Sequence, residues 1–280
     1  MSTESTTTSQ AASGRIHRPW DDFDGLGHFY QFRPEYPPRI AEQLRSVLRG
    51  TTGGRIIEVG AGTGLFTRSL ATVFGSSFQI FALEPNEHMR RHAESQTPTG
   101  MLVDYADGVA ENLQAVDGSA QLVTAASAVH RFNRPAFYRE AQRVLAPGGL
   151  LAIVQYEPYD RDSAFADGFL SVIEAALPNY HRRRHSRPEG GYSEIDISAE
   201  LRAESGLKDI RRDAFVFTEL IDRERFEHRA RSFTIVQKAI NNRGEEALLS
   251  ALRVVFEQHR DSNAFVEMPY EAEIITARRT

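Results

Sequence analysis

The sequence predicts an α/β fold: a doubly wound, mostly parallel sheet of seven strands with helices on both faces. Three observations carry this. In Arg55-Ile56-Ile57-Glu58-Val59-Gly60-Ala61-Gly62-Thr63-Gly64 a short apolar run ends in three glycines spaced by single residues, and a helix-period segment follows from Leu65. Strand, glycine turn and helix form the unit that lets a backbone approach a polar or anionic ligand closely. Strand-like and helix-like runs then alternate five times up to residue 154, the rhythm of a parallel sheet. The last of these strands, Leu150-Leu151-Ala152-Ile153-Val154, is almost wholly apolar, as expected where both faces are covered.

The elements follow in order. Residues 1–14 are rich in Ser, Thr and Gln, lack an apolar core, and read as a disordered tail rather than a secretory signal. Residues 15–40 read as an aromatic arm or lid, because Pro34, Pro37 and Pro38 forbid a continuous helix. Residues 40–48 have helical spacing and stop at glycines 50, 53 and 54. A core of residues 54–157 is expected to hold strands over 55–59, 78–83, 101–105, 121–126 and 150–154. Its helices fall over 65–74, 89–94 (capped by Asn86) and 135–145. Residues 108–113 and 147–149 read as turns. Beyond Asp160 the rhythm changes, with helices over 164–176, 198–204, 223–232 and 245–258 and strands over 208–219 and 267–277. Residues 160–195 and 220–260 are assigned to a helical cap on the substrate side.

Ligands of such sheets sit at the carboxyl ends of the strands, where strand order reverses. Glycines 60–64, Glu84, Ser127, Gln155 and Tyr156 all fall there. Glu84 lies 20 residues after Gly64, at the end of the second strand, where a carboxylate can accept both hydroxyls of a ribose. No lysine follows the glycines; Leu65 and Phe66 stand there, which excludes a P-loop.

Composition narrows the class. The 280 residues contain no cysteine, which excludes disulfides, a thiolate nucleophile and thiolate metal sites. A net charge of −5 argues against a general nucleic-acid surface. No apolar run reaches the roughly 18–20 residues of a membrane span, and a cytoplasmic protein is expected. His181 and His185 have metal-ligand spacing, but Arg182, Arg183 and Arg184 between them would repel a cation. No metal is expected.

Taken together, the arm Tyr30-Gln31-Phe32-Arg33-Pro34-Glu35-Tyr36-Pro37, the glycine loop, Glu84-Pro85, the turn Gly108-Val109-Ala110-Glu111-Asn112-Leu113 and the fourth and fifth strands resemble the class I methyltransferases that use S-adenosylmethionine. Within them the likeness is to the small-molecule group with a Tyr-x-x-Arg-Pro-x-Tyr-Pro opening, which includes trans-aconitate-type and natural-product enzymes. The resemblance implies a Rossmann-like fold and S-adenosyl-L-methionine as cofactor. It also implies site roles. Glu58, Gly60, Gly62 and Gly64 would form the loop under the methionine part. Glu84 would bind the ribose, and Pro85 with Met89 would border the adenine. Val109 stands where the family has an acid, so backbone at Val109 and Ala110 would serve the adenine amine. Ser127 would lie beside the sulfonium, with Tyr30 and Arg33 on the cofactor carboxylate.

Methyl transfer is an in-line displacement, so the protein must align the nucleophile and, where needed, take its proton. His130 is the candidate catalytic group. His28, Tyr36, His130, Tyr156, Tyr159, Tyr180 and Tyr192 are the candidate acceptor-binding residues. The expected function is methylation of a small organic acceptor at carbon, nitrogen or oxygen, in specialised-metabolite biosynthesis. Two alternatives stay open: a cofactor-binding enzyme of the same fold that also or instead promotes cyclisation, and an inactive regulatory or scaffold relative. The arm is a candidate for exchange between subunits of a homo-oligomer.

Overall fold

The computed structural model describes residues 20, 27–182, 185–186 and 192–280. The N-terminal tail, most of the first part of the arm, and Arg183, Arg184 and Arg187 lie outside them. A single helical turn, α1 (Gly27–Tyr30), precedes α2 (Pro38–Val47), whose first residue is a proline, tolerated because that position needs no intrahelical N–H donor. The core then runs β1 (Gly54–Val59), α3 (Leu65–Phe74), β2 (Phe78–Leu83), α4 (Glu87–Gln96), β3 (Val103–Ala106), β4 (Ala120–Ala126), α5 (Arg134–Val144) and β5 (Leu145–Pro158). After it come α6 (Ala164–Ala176), a two-residue hairpin of β6 (His185–Ser186) and β7 (Tyr192–Ser193), α7 (Ile197–Ala203), β8 (Leu207–Ile221), α8 (Arg223–Ser232), α9 (Thr234–Arg243), α10 (Glu245–His259) and β9 (Val266–Arg279).

Seven strands form one sheet in the order β3-β2-β1-β4-β5-β9-β8. The first five are parallel, and β9 is antiparallel to both β5 and β8. This is the doubly wound architecture expected from the alternation. Strand order reverses between β1 and β4, which opens a crevice at their carboxyl ends. One apolar core lies under α2, α3, α6, α8 and α10, and another lies on the opposite face under α5 and α7. Asparagine caps set two of the core helices: Asn86 accepts from the Met89 N–H at 3.1 Å and Asn133 from the Ala136 N–H at 3.4 Å.

Three elements depart from expectation. Residues 147–149 are not a turn between helix and strand. β5 begins at Leu145, directly after α5, and its Leu145 and Leu150 pair with Ala120 and Leu122 of β4, so the Pro147-Gly148-Gly149 segment is looped out within the strand. β5 also continues to Pro158, because antiparallel β9 offers ladder partners as far as Tyr270. Helix α9 was not expected: it buries only Val236 and Ala239, too few apolar positions for a clear period. Among the described residues, no helix is long and apolar enough to cross a membrane.

Candidate active site

A cavity of about 910 Å³ opens at the carboxyl ends of β1, β2, β4 and β5. Its floor is the glycine loop. The N–H groups of Gly60 and Ala61 both donate to the Leu83 carbonyl, at 2.8 and 3.0 Å, which ties the loop to the end of β2. Gly60 has φ +72°, and a Cβ there would come within 2.7 Å of the Ala128 Cβ. Only glycine meets both demands. Gly62 has φ +57° with nothing within 4 Å of where its Cβ would stand, so it leaves open space at the cavity. Gly64, expected beside the cofactor, does not line the cavity. It starts α3, and a Cβ there would collide with the Tyr105 hydroxyl, so it serves the packing of α3 against β3 and α4.

Glu84 is buried at the end of β2. Its Oε2 accepts from the Gly62 N–H and its Oε1 from the Asn86 N–H, each at 2.8 Å. Two of a carboxylate's roughly four acceptor positions remain for a ligand. Burial raises its pKa. Pro85, Met89, Val109 and Ala110 continue the wall, and Gly108 and Glu111 join them. Trp20 also lines the cavity, its carbonyl held by the Asn86 side-chain amide at 3.1 Å.

Glu58 is 1% exposed, lines the cavity, and its Oε2 has no hydrogen-bond partner among the described residues. Burial pushes its pKa from 4.5 up to about 8. The folded protein therefore holds a proton that the unfolded chain releases above 4.5, so stability falls as pH rises from that value through about 8. Melting temperature should decline across this window in the wild type and decline less in Glu58→Gln. Equal slopes for the two proteins would show that Glu58 does not bind that proton.

The arm closes the other side. The Arg33 guanidinium lies 4.0 Å from the Phe233 ring centroid and 5.0 Å from that of Tyr30. Its Nη2 donates to the Ser232 carbonyl at 3.1 Å, while Nε is buried with no partner. No carboxylate among the described residues pairs with it. Tyr36 donates its hydroxyl to Ser127 Oγ at 3.1 Å, and its ring packs on Phe66 and Tyr156. Ser127 sits at φ +50°, a strained value for a non-glycine residue. Burial raises the Tyr36 hydroxyl well above its usual pKa and that of Tyr156 to about 12, so both remain neutral donors.

His130 lies on a short 3₁₀ turn after β4 and lines the cavity, as do Tyr156 and Tyr180. Two expected acceptor residues are elsewhere. His28 packs edge-on against Phe29 and Phe32, because α1 turns it toward the arm's own aromatics. Tyr159 donates to Asp162 Oδ2 at 3.1 Å, its backbone held outside the cavity by a bond to the Pro269 carbonyl. Tyr192 belongs to β7, but its side chain lies outside the described residues. Gln155 lines the cavity at the end of the fifth strand, and Phe233, Thr234 and Ile235 at the start of α9, with Glu194 and Ile195, line it without having been expected there. No local pattern marks them as lining residues. Among the described residues, no group of three or more His, Asp or Glu side chains could hold a metal.

Sheet order, glycine loop and the acidic end of β2 together give a Rossmann-like fold of the kind found in solved methyltransferases. The comparisons agree. Residues 57–153 match the family model described as a methyltransferase domain. A Dictyostelium discoideum protein named only as a methyltransferase is 32% identical over 140 residues, 49% of each chain. The malonyl-[acyl-carrier protein] O-methyltransferase of Geobacter sulfurreducens is 31% identical over 181 residues, 63% of this chain and 60% of that one. The structure of an Anaeromyxobacter dehalogenans protein assigned to the type II methyltransferases superposes with a TM-score of 0.61 at 20% identity, covering 88% of this chain and 97% of that one. In fold, and over residues 57–153, the chain is similar to the methyltransferases. It spans about half the length of the first curated relatives it matches.

Proposed function

We propose that this protein transfers the methyl group of S-adenosylmethionine to a small organic acceptor. One observation carries the reading. A single cavity presents the Arg33 guanidinium and a buried oxygen of Glu58, neither of which, among the described residues, has an acidic or hydrogen-bonding partner respectively. Such a pair fits the carboxylate and ammonium of an amino acid. Glu84, with acceptor positions to spare, would hold the ribose hydroxyls. Pro85, Met89 and the Val109–Ala110 backbone would border the adenine, and Ser127 would face the sulfonium end. When bound, the cofactor supplies a methyl group already activated for displacement.

The chain's own residues do the rest. Arg33 and Glu58 fix the amino-acid end, and the glycine loop admits it without steric conflict. Tyr36, held neutral, orients Ser127. His130 stands at the acceptor side, where it would position the nucleophile or take its proton. At about 910 Å³ the cavity lies near the upper end of the roughly 300–1,000 Å³ range of small-molecule pockets, and in the proposal it takes a small acceptor beside the cofactor. Tyr156, Tyr180 and Phe233 favour a flat or apolar acceptor, of the kind met in specialised metabolism. The segments around α6, β6–β7 and α8–α10 would act as the substrate-side cap.

Calorimetry with S-adenosylhomocysteine tests the reading, followed by its release on turnover with candidate acceptors. No binding at millimolar concentration would end it. Substrate conversion without release of S-adenosylhomocysteine would point to cyclisation instead. His130→Ala should lower kcat by about two orders of magnitude, within the range for a lost proton-transfer group, with cofactor affinity kept. Normal turnover would make His130 structural.

A further inference from the structure

Two arginines cross between the arm and the cap, and they differ in one respect. Arg33, on the arm, reaches the Ser232 carbonyl at the end of α8 and has no counter-ion among the described residues. Arg229, on α8, runs the other way. Its Nε donates to the Phe32 carbonyl at 2.8 Å, its Nη1 donates to the Tyr270 hydroxyl at 3.2 Å, and it pairs with Glu219 Oε2 at 2.5 Å. It is 1% exposed and does not line the cavity. Its charge is thus compensated by Glu219, whereas no carboxylate among the described residues compensates Arg33.

We infer that Arg229 is a positioning residue: it anchors the Phe32 backbone to α8, β8 and β9 and so holds Arg33 at the cavity before the cofactor arrives. The inference rests on the proposed function, in which Arg33 receives the cofactor carboxylate. The reasons are geometric. Phe32 and Arg33 are adjacent, so fixing the Phe32 carbonyl leaves the Arg33 Cα little freedom. A buried guanidinium bonded to three elements is a rigid anchor, since any displacement leaves several polar groups unsatisfied at once. A preformed arm spares the ligand the ordering cost of closing it. The Phe32 ring also stacks on His228 of α8, with centroids 4.5 Å apart, so ring packing is the competing explanation for the docked arm.

The test compares Arg229→Lys with His228→Ala. The lysine keeps a positive charge opposite Glu219, so the fold should persist, but it has no Nε donor for the Phe32 carbonyl. Hydrogen exchange at the Phe32 and Arg33 amides, which donate to the Phe29 and Tyr30 carbonyls, reports the arm. Amides of Ile56 and Ile57 report the sheet. In Arg229→Lys, arm exchange should accelerate and the Kd for S-adenosylhomocysteine should rise, each by about tenfold, the scale of one lost charged hydrogen bond. Sheet exchange should stay unchanged. KM for S-adenosylmethionine should rise with kcat nearly constant, and Arg229→Gln should show the same split. Wild-type arm exchange in Arg229→Lys would overturn the proposal, as would an equal effect of His228→Ala. If the wild type binds no S-adenosylhomocysteine, the proposed function fails, while arm exchange still decides whether Arg229 anchors the arm.

Discussion

Glu84→Ala should weaken binding of S-adenosylhomocysteine by about 3 kcal/mol, more than a hundredfold, because it removes charge-assisted hydrogen bonds to the ligand and to the loop together. Within the protein the carboxylate accepts from the Gly62 and Asn86 N–H groups. Its loss strands both donors and frees the Gly62 backbone, so the glycine loop loses its shape as well as the ribose its acceptor. An unpaired N–H in this part-buried wall costs about 1–3 kcal/mol, and the melting temperature should fall too. Glu84→Gln should recover part of the loop but not the affinity, since its amide offers a single acceptor oxygen. Calorimetry on the three proteins separates the two contributions. Wild-type affinity in Glu84→Ala would remove this residue from the cofactor site.

The second large effect has the opposite stability signature. Arg33→Met should cost about 2–3 kcal/mol of cofactor affinity, the scale of a lost hydrogen bond to a charged group. It should leave the melting temperature of the empty protein nearly unchanged. The methionine still fills the space between Tyr30 and Phe233. What it removes is a largely buried charge with no counter-ion among the described residues, whose desolvation offsets the gain from its ring contacts. Its bond to the Ser232 carbonyl is the one side-chain hydrogen bond lost among the described residues. Thermal unfolding with and without S-adenosylhomocysteine shows the contrast directly: the ligand-induced rise should shrink while the baseline holds. A rise as large as in the wild type would mean that Arg33 does not meet the ligand's carboxylate.

The residues behind these two predictions differ in how far the sequence exposed them. Glu84 was placed by counting, because the strand–turn–helix–strand unit is local and its spacing fixes where β2 must end. The same holds for the turn at Gly60 and for the alternation that predicts the sheet, whereas the role of Glu58 comes from the resemblance. Arg33 was found through the likeness of its motif to a family, and its surroundings were not foreseen. Phe233, which stacks on it, is 200 residues away, at a joint between two largely polar helices. No period or spacing links the two positions.

What the sequence by itself determined is therefore what depends on near neighbours: strand and helix order, the glycine turn, the Asn86 cap and the carboxylate at the end of β2. Tertiary structure alone decided the rest. The length of β5 depends on β9, which is made more than a hundred residues later and supplies its ladder partners. Gly64 turned to packing because Tyr105 of β3 stands against it, and Tyr159 left the cavity because Pro269 of β9 holds its backbone. Hydrophobic period and turn chemistry act over a few residues. Which side chains meet across the cavity depends on how distant segments close around it, and that distance in the chain leaves no local trace.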